Sequence, residues 1–212
     1  MTRTSQLKRA SPLPMPRVLL DATTTPTVVT VPARTVLTLD GDGAPEGQAF
    51  QNSVAAIYGV AYALKFGRKK AGRRDFKIGP LEARWWADDP THRLPDVPRE
   101  SWRWQLRMAV PGNVKATELA RTVESATDKG SGKLAGNPEV RRVTVSELPA
   151  APAGRVLHIG PYATEGASLG RVAAAMKAAL LTPANAHTEV YLNDPRRTEQ
   201  DNLKTVLLLE VA

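Results

Sequence analysis

The chain has 212 residues, of which 42% are hydrophobic and 24% charged, and its formal net charge is +8. This length allows one large domain or two small ones, and the composition is ordinary for a soluble globular protein. No stretch approaches the roughly 20 apolar residues of a membrane span, the N-terminus lacks the apolar segment of a secretory signal, and the lack of cysteine excludes disulfides and thiolate metal sites. We therefore expect a cytoplasmic protein.

Much of the excess positive charge lies in two places, residues 1–24 and residues 65–74. The first segment is rich in Thr, Pro, Ser and Arg and has no apolar periodicity, which predicts a flexible basic tail. The second segment falls at the end of a predicted helix, where cations also complement the helix macrodipole. No nucleic-acid-binding motif accompanies it, so a solvated helix end is favoured over a nucleic-acid surface.

Periodicity predicts an alternation of strands and helices along the rest of the chain. In the first half, the expected elements are strands at 28–31 and 34–40, a turn at 40–45, a helix at 48–67, and strands at 81–87 and 102–110. A helix at 114–127, a Gly/Lys loop at 129–137, a strand at 139–148 and a Pro/Ala linker at 149–154 follow. The second half then predicts a strand at 155–159, a helix at 164–181, and strands at 188–193 and 204–211.

Both halves therefore follow the order strand, helix, strand, strand. Residues 80–90 and 188–195 match as well, because each begins near a glutamate and closes with Asp-Pro. A duplication predicts two modules related by a pseudo-two-fold axis, with a ligand cleft between them. The predicted fold class is α+β, a tandem repeat with antiparallel sheets and a central ligand groove. Its domain would cover 25–212, with module one at about 27–111, a connecting segment at 112–154 and module two at 155–212.

An ordered set of short motifs runs through this domain and resembles the GyrI-like (gyrase-inhibitor-like) small-molecule-binding family, in its stand-alone branch without a DNA-binding domain. The motifs are Val31-Pro32, Leu39-Asp40-Gly41-Asp42-Gly43-Ala44-Pro45, the run from Tyr58 to Phe66, Pro80-Leu81-Glu82, Trp85-Trp86, Trp102-Arg103-Trp104, His158-Ile159-Gly160-Pro161-Tyr162, Glu189 through Arg197, and Lys204-Thr205. No single motif is decisive, but the ordered set is specific.

The resemblance implies a pair of such modules with an aromatic and acidic groove that takes bulky, often cationic or planar, ligands. It also implies that Glu189 is the central groove carboxylate. Relatives include drug-sensing regulator modules, gyrase inhibitors, and hydrolases that open the cyclopropane of DNA-alkylating natural products. The chain departs from the pattern at Thr188, where a histidine is usual, at Ala83-Arg84, and at Pro152-Ala153-Gly154.

Glu189 is the leading candidate for chemistry. Strand alternation puts Glu189 and Tyr191 on the face opposite Val190 and Leu192. A carboxylate walled by aromatic rings is desolvated, and it can serve as a general base or as a partner for a cation. The alternative is an ordinary solvent-facing glutamate. Glu82 is the matching residue of the first module, either acting with Glu189 on one water or paired with Arg84.

Aromatic side chains supply the rest of the predicted site. We expect Trp86 and Tyr191 to lie on the groove faces and to stack a planar ligand. Trp85 falls on an inward face but stays a candidate, because a bulge would shift the alternation. Tyr162 follows a Gly-Pro turn and offers a hydroxyl to the ligand or packs in the core.

Histidines 92, 158 and 187 lack the spacing of metal ligands, so we predict no metal and no cofactor. His158 lies within a strand, where a structural role is favoured over that of an acid. The predicted function is binding of a bulky organic molecule, with hydrolytic opening of a cyclopropane-bearing toxin as the sharper hypothesis. The alternative is a module that sequesters a drug without chemistry or contacts gyrase or another protein. No membrane partner is expected.

Overall fold

A computed structural model describes residues 12–89, 91–128, 134 and 136–212. Within these residues the strands are β1 (Thr27–Val31), β2 (Arg34–Asp42), β3 (Glu82–Trp86), β4 (Arg103–Ala109), β5 (Thr144–Leu148), β6 (Ala151–Ile159), β7 (Pro183–Tyr191) and β8 (Lys204–Val211). The α-helices are α1 (Gln48–Lys70), α2 (Ala116–Thr127) and α3 (Glu165–Ala178). None of these helices is both long and apolar enough to cross a membrane.

The strands form one antiparallel sheet in the order β1-β6-β8-β7-β3-β4-β2-β5. Module one supplies β3-β4-β2 and module two supplies β7-β8-β6, so the two modules have the same internal order. The antiparallel pairing of β3 with β7 joins them at the centre of the sheet. The predicted fold class, an α+β tandem repeat with antiparallel strands, is confirmed.

Most predicted elements are present, but the linker expected at 149–154 is wrong over its second part. Residues 151–154 belong to β6 and pair with β1. Gly154 allows α3 to lie directly on this strand, because a Cβ there would stand 2.5 Å from both Met176 Sδ and Val172 Cγ1. The Pro/Ala composition is that of a linker, but proline is tolerated at position 152, because β8 pairs only with residues 153–159 and Pro152 has a neighbouring strand on one side.

Short connections force the sheet to curl. Pro32 and Ala33 alone join β1 to β2, so the flanking Cα atoms are at most about 11 Å apart. In a flat sheet the six intervening spacings would separate these strands by about 29 Å. The two edges of the sheet must therefore approach one another. Val31 and Ala109 accordingly share one buried cluster, although they lie far apart in strand order.

The curled sheet has two covered faces. On the helix face, α1 packs against residues such as Leu39, Trp85 and Leu106, and α3 packs against Val156 and Leu207. On the inner, concave face, Val190, Val206 and Leu208 meet the N-terminal segment. Cross-strand partners in an antiparallel pair project to the same face, so register decides which residues meet.

The N-terminal segment is not the flexible tail expected over 1–24, at least over residues 13–22. Met15 and Leu19 are 4% and 0% exposed and pack against the inner face. Backbone hydrogen bonds anchor the segment at both ends, from Lys77 N to Pro12 O and from Leu157 N to Thr23 O. The apolar residues of this segment are too irregularly spaced to indicate a strand or a long helix. The sequence pattern therefore gives no sign that they are buried. Residues 1–11 lie outside the described residues.

We expect Leu19→Ala to lower the free energy of unfolding by about 2–5 kcal/mol, because it removes a fully buried side chain from the inner face. Leu180→Ala is the matched control, since Leu180 is 94% exposed and should change stability by less than about 0.5 kcal/mol. Urea denaturation measures both. Equal, small effects of the two substitutions would contradict the placement of the N-terminal segment.

Candidate functional site

The register at the centre of the sheet brings Glu189 to the helix face. Ala83 pairs with Glu189, and Trp85 pairs with His187, so these residues share the face on which Trp85 packs under α1. Glu189 lies on β7, in the module that carries α3, and beside the strand that belongs to the module of α1. Its carboxylate is therefore positioned between the two modules.

Glu189 is held by two side chains of its own strand. Tyr191 donates its hydroxyl hydrogen to Oε2 of Glu189 at 2.6 Å, and Nε2 of His187 lies 3.1 Å from Oε1. Residues two apart on a strand project to the same face, which explains how three consecutive alternate positions form one polar row. The side chains of His187 and Glu189 are each 13% exposed, so they remain within reach of a ligand.

A second carboxyl group, Glu165, meets Glu189 from the first turn of α3. Glu165 is 5% exposed. Burial, the negative charge of Glu189 and a hydrogen bond with that carboxylate raise the pKa of Glu165 well above its usual range, against a smaller lowering effect of Thr205. Two adjacent carboxyl groups in a desolvated site cannot both be ionised at low cost. The raised pKa therefore keeps Glu165 protonated at neutral pH.

The unpartnered oxygen of Glu165 agrees with this protonation. Its Oε1 is buried and has no hydrogen-bond partner among the described residues. An ionised carboxylate oxygen would lose its hydration there without compensation, and a neutral carboxyl group loses much less. The geometry and the raised pKa point to the same state.

Two tyrosines stand over the carboxyl pair. The rings of Tyr162 and Tyr191 meet edge to face, with centroids 5.8 Å apart and an interplanar angle of 78°. Burial and the charges of Glu189 and Glu165 raise the pKa of Tyr162 to about 12, and the same causes raise that of Tyr191. Both phenols therefore stay protonated and act as hydrogen-bond donors. We call Glu165, Glu189, His187, Tyr162 and Tyr191 the carboxylate cluster.

An aromatic stripe leads away from the cluster along α1. Tyr58 forms a hydrogen bond with the backbone of Leu81, whose carbonyl oxygen accepts the amide hydrogen of Tyr191 at 3.0 Å. Tyr62 and Phe66 follow at four-residue intervals, which places them on the same helix face. Their rings stack with centroids 6.1 Å apart, and they are 45% and 58% exposed.

The structure does not bring Glu82 and Trp86 to this site. Glu82 pairs with Val190, and Arg84 with Thr188, so Glu82, Arg84 and Trp86 all project to the inner face. The expectation that Glu82 and Glu189 face one another is therefore wrong, as is a shared stacking surface of Trp86 and Tyr191. The motif match between the two modules is one residue out of structural register, and a shift of one residue reverses every side chain on a strand.

On the inner face these residues are engaged in ion pairs. Glu82 is fully buried and its Oε2 accepts a hydrogen bond from Arg34 Nη2 at 2.6 Å. Arg84 binds Glu210 through two hydrogen bonds of 2.8 and 2.9 Å, and its guanidinium lies 4.8 Å from the centre of a Trp86 ring. Arg84 therefore neither pairs with Glu82 nor approaches Glu189.

Trp85 and His158 are buried, and their contacts are with core and backbone groups of the protein. Trp85 lies on the helix face but is 2% exposed, stacked against Phe50 with centroids 5.1 Å apart. His158 is 5% exposed; Nδ1 lies 3.1 Å from Ser168 Oγ, and Nε2 lies 3.1 Å from Pro161 O. His158 thereby ties the turn before Tyr162 to α3. Nowhere in the described ranges do three or more His, Asp or Glu side chains converge as metal ligands.

Sequence reasoning missed Glu165. A glutamate in the first helical turn is ordinary, because it complements the helix macrodipole, and nothing in its neighbours marks it as buried. The available signal was its position three residues after Tyr162, just past the Gly-Pro turn of a recognised motif. Only the packing of α3 against β7 and β8 shows that this turn reaches Glu189.

The fold has counterparts among solved structures. An uncharacterized conserved protein from Listeria innocua matches with a TM-score of 0.81 and 26% identity, covering 92% of this chain and 96% of its own. A hydrolase from Listeria innocua matches with a TM-score of 0.79 and 26% identity over the same shares. This chain shares their fold.

The C-terminal domain of EcmrR also has this fold, with a TM-score of 0.53 and 11% identity over 89% of this chain and 97% of its own. No protein-family model matches the chain, and no curated protein matches it.

The raised pKa of Glu165 predicts a specific dependence of stability on pH. The folded protein binds this proton more tightly than the unfolded chain, so the resulting stabilisation is complete below the ordinary glutamate pKa and is lost as pH rises toward the folded-state pKa. Glu165→Gln keeps an N–H donor toward Glu189 and removes the titration. From about pH 5 upward, we expect wild-type stability to fall relative to the variant by up to about 1.4 kcal/mol per pH unit.

Urea denaturation of both proteins between pH 5 and pH 9 measures this difference. Glu124→Gln on exposed α2 is the matched control and should run parallel to the wild type. A difference between wild type and Glu165→Gln that stays constant with pH would show that Glu165 is ionised in the folded protein.

Proposed function

We propose that this protein is a GyrI-like protein that binds a bulky, planar organic molecule at the carboxylate cluster and opens a strained, electrophilic ring in it by adding water. The observation that carries the proposal is the buried Glu165 carboxyl group beside Glu189, whose pKa burial and the charge of Glu189 raise. Two carboxyl groups whose environments separate their protonation states form an acid and a base in one site. The fold shared with a hydrolase from Listeria innocua supports this reading.

Glu189 is the base of the proposed reaction. Its carboxylate has about four lone-pair positions, of which Tyr191, His187 and Glu165 take three. The remaining position is available to a water molecule. Tyr191 and His187 fix the orientation of the carboxylate, so little reorganisation is needed when it accepts a proton.

Glu165 is the acid. In the proposed step, Glu189 takes a proton from water while the water oxygen forms a bond to a cyclopropane carbon. The ring C–C bond breaks, and its electron pair moves into a conjugated carbonyl group, whose oxygen becomes an alkoxide-like or phenoxide-like anion. That oxygen receives the proton of Glu165, with Tyr162 as a further hydrogen-bond donor. The proton on Glu189 then passes to Glu165 and restores the pair.

The aromatic surface around the pair favours a ligand with several fused or linked rings. Tyr162 takes the stacking role that the sequence assigned to Trp86. From Tyr58 to Phe66 the aromatic stripe extends the surface by about 12 Å along α1. This extent exceeds what a single ring needs.

Ring opening should depend on Glu189. We expect Glu189→Gln to reduce turnover of a cyclopropane-bearing alkylator by a factor of about 100 or more, because the amide cannot accept the proton of water. Tyr191→Phe keeps the ring and removes one hydrogen bond, so a smaller loss of about tenfold is expected. Glu147→Gln, on exposed β5, is the matched control. Mass spectrometry of the ring-opened product measures all four proteins.

Sequestration without chemistry is the second candidate function, and the exposed aromatic stripe favours it, since stacking alone retains a drug. Tight binding of the alkylator by the wild type, with no ring-opened product, would establish it in place of hydrolysis. Turnover that is unaffected by Glu189→Gln would remove Glu189 from the reaction.

The aromatic stripe should determine affinity for long ligands. Tyr62→Ala is expected to weaken binding of a multi-ring alkylator by about tenfold, since one stacking contact contributes about 1–1.5 kcal/mol. Binding of a single-ring analogue should be unchanged, because it reaches only the cluster. Tyr62→Phe retains the ring and should behave as the wild type. Fluorescence titration measures these affinities, and equal losses for long and short ligands would contradict the assignment.

A further inference from the structure

A separate groove lies between the C-terminal half of α1 and the length of α2. It has a volume of about 450 Å³. Small residues explain why the helices leave this space: Ala63, Gly67 and Ala71 follow one another at four-residue intervals on the wall formed by α1. A Cβ added at Gly67 would meet no atom within 4 Å. The groove is therefore a built feature of the helix pair, with room for a small organic molecule.

The lining of the groove is strongly cationic. Arg68, Arg73, Lys115 and Arg121 line it together with one carboxylate, Glu118. The oxygens of Glu118 serve two guanidinium groups at once, those of Arg68 at 3.2 Å and Arg73 at 2.9 Å. Lys115 and Arg121 are exposed at the groove and take part in no ion pair within the described residues. The charge of the groove is thus far from balanced.

Arg68 lies at the buried floor of the groove. Its side chain is 3% exposed, and its Nη2 donates to Asn113 Oδ1 at 2.8 Å. A cation that is nearly fully buried beneath a basic groove raises the local positive potential, because its field is poorly screened by water. The N-terminus of α2 adds to the positive potential. Its N-cap residue, Lys115, makes no side-chain cap, so the first backbone N–H groups keep their partial positive charge.

The remaining lining residues match the chemistry of a phosphorylated molecule. Two hydroxyl-bearing side chains of α2 whose hydroxyls form no hydrogen bond within the described residues, Thr117 and Ser125, line the groove, and apolar residues, Ala63, Leu64 and Ala71, form part of the opposite wall. Hydroxyls and cations bind phosphate oxygens, and the apolar wall accommodates an organic body.

We propose that the groove between α1 and α2 binds a small molecule that carries at least two phosphate groups, of the nucleoside di- or triphosphate class. The site is distinct from the carboxylate cluster in both place and charge, because the carboxylate of Glu189 would repel such an anion. It does not depend on the proposed hydrolysis.

Isothermal titration calorimetry with ATP, AMP and inorganic tripolyphosphate tests the proposal on the whole chain. We expect one site per chain, with ATP and tripolyphosphate binding at least tenfold more tightly than AMP. Arg121→Glu and Lys115→Glu should each weaken ATP binding at least tenfold. Lys177→Glu on α3 makes the same charge change outside the groove and should weaken binding less than twofold. Gly67→Leu should also abolish binding, since it fills the groove without altering its charge.

The proposal would be overturned by no detectable heat with ATP or tripolyphosphate at millimolar concentration, by equal losses from Arg121→Glu and Lys177→Glu, or by ATP binding that survives Gly67→Leu. A short DNA duplex that binds more tightly than ATP and is lost with Arg121→Glu would overturn it as well, because it would make this surface a nucleic-acid interface. Thermal unfolding of each variant checks that it is folded. Neither Arg68 nor Glu118 is substituted, since both hold the helices together.

Discussion

The antiparallel register between β3 and β7 is the constraint on which the candidate site depends. This one pairing joins the two modules into a continuous sheet and sets Ala83 opposite Glu189. With that register Glu189 projects between α1 and α3, where tyrosines and a second carboxyl group surround it. A shift by one residue would place Glu82 and Glu189 on the same face, and one of the two modules would then turn its core side chains to the wrong face of the sheet.

Two buried glutamates, Glu82 and Glu165, have neighbours whose charges are opposite to each other. Glu82 forms an ion pair with Arg34 on the inner face. Glu165 has a carboxylate as its neighbour and gives up its charge by binding a proton. An oppositely charged partner stabilises the ionised form of a carboxyl group. A neighbouring carboxylate instead stabilises the protonated form, and that proton can be transferred. The difference in partner explains why Glu82 is suited to a structural ion pair, whereas Glu165 is suited to proton transfer.

The inner face is covered by other parts of the chain, so the helix face is the one on which a ligand could reach exposed aromatic rings. Met15 and Leu19 fill the concavity over module two, and the Arg34–Glu82 and Arg84–Glu210 pairs occupy other parts of it. A ligand would have to displace these contacts to reach Trp86. On the helix face, in contrast, Tyr162, Tyr62 and Phe66 are exposed. The groove between α1 and α2 adds a surface of opposite charge to the carboxylate cluster.

The sequence by itself determined the elements, the tandem repeat and the α+β class, because strand alternation and helical periodicity are local patterns. It also identified Glu189, Tyr191 and Tyr162 as candidates, through alternation and the motifs that contain them. It placed Glu82 and Trp86 beside them by matching two short segments, and such a match carries no information about which face a paired strand presents. Glu165 and the buried N-terminal segment could not be found, since their surroundings come from residues distant in the chain. Only the tertiary structure decided which carboxyl groups meet, because register and helix docking are set by the packing of the whole sheet rather than by any one strand.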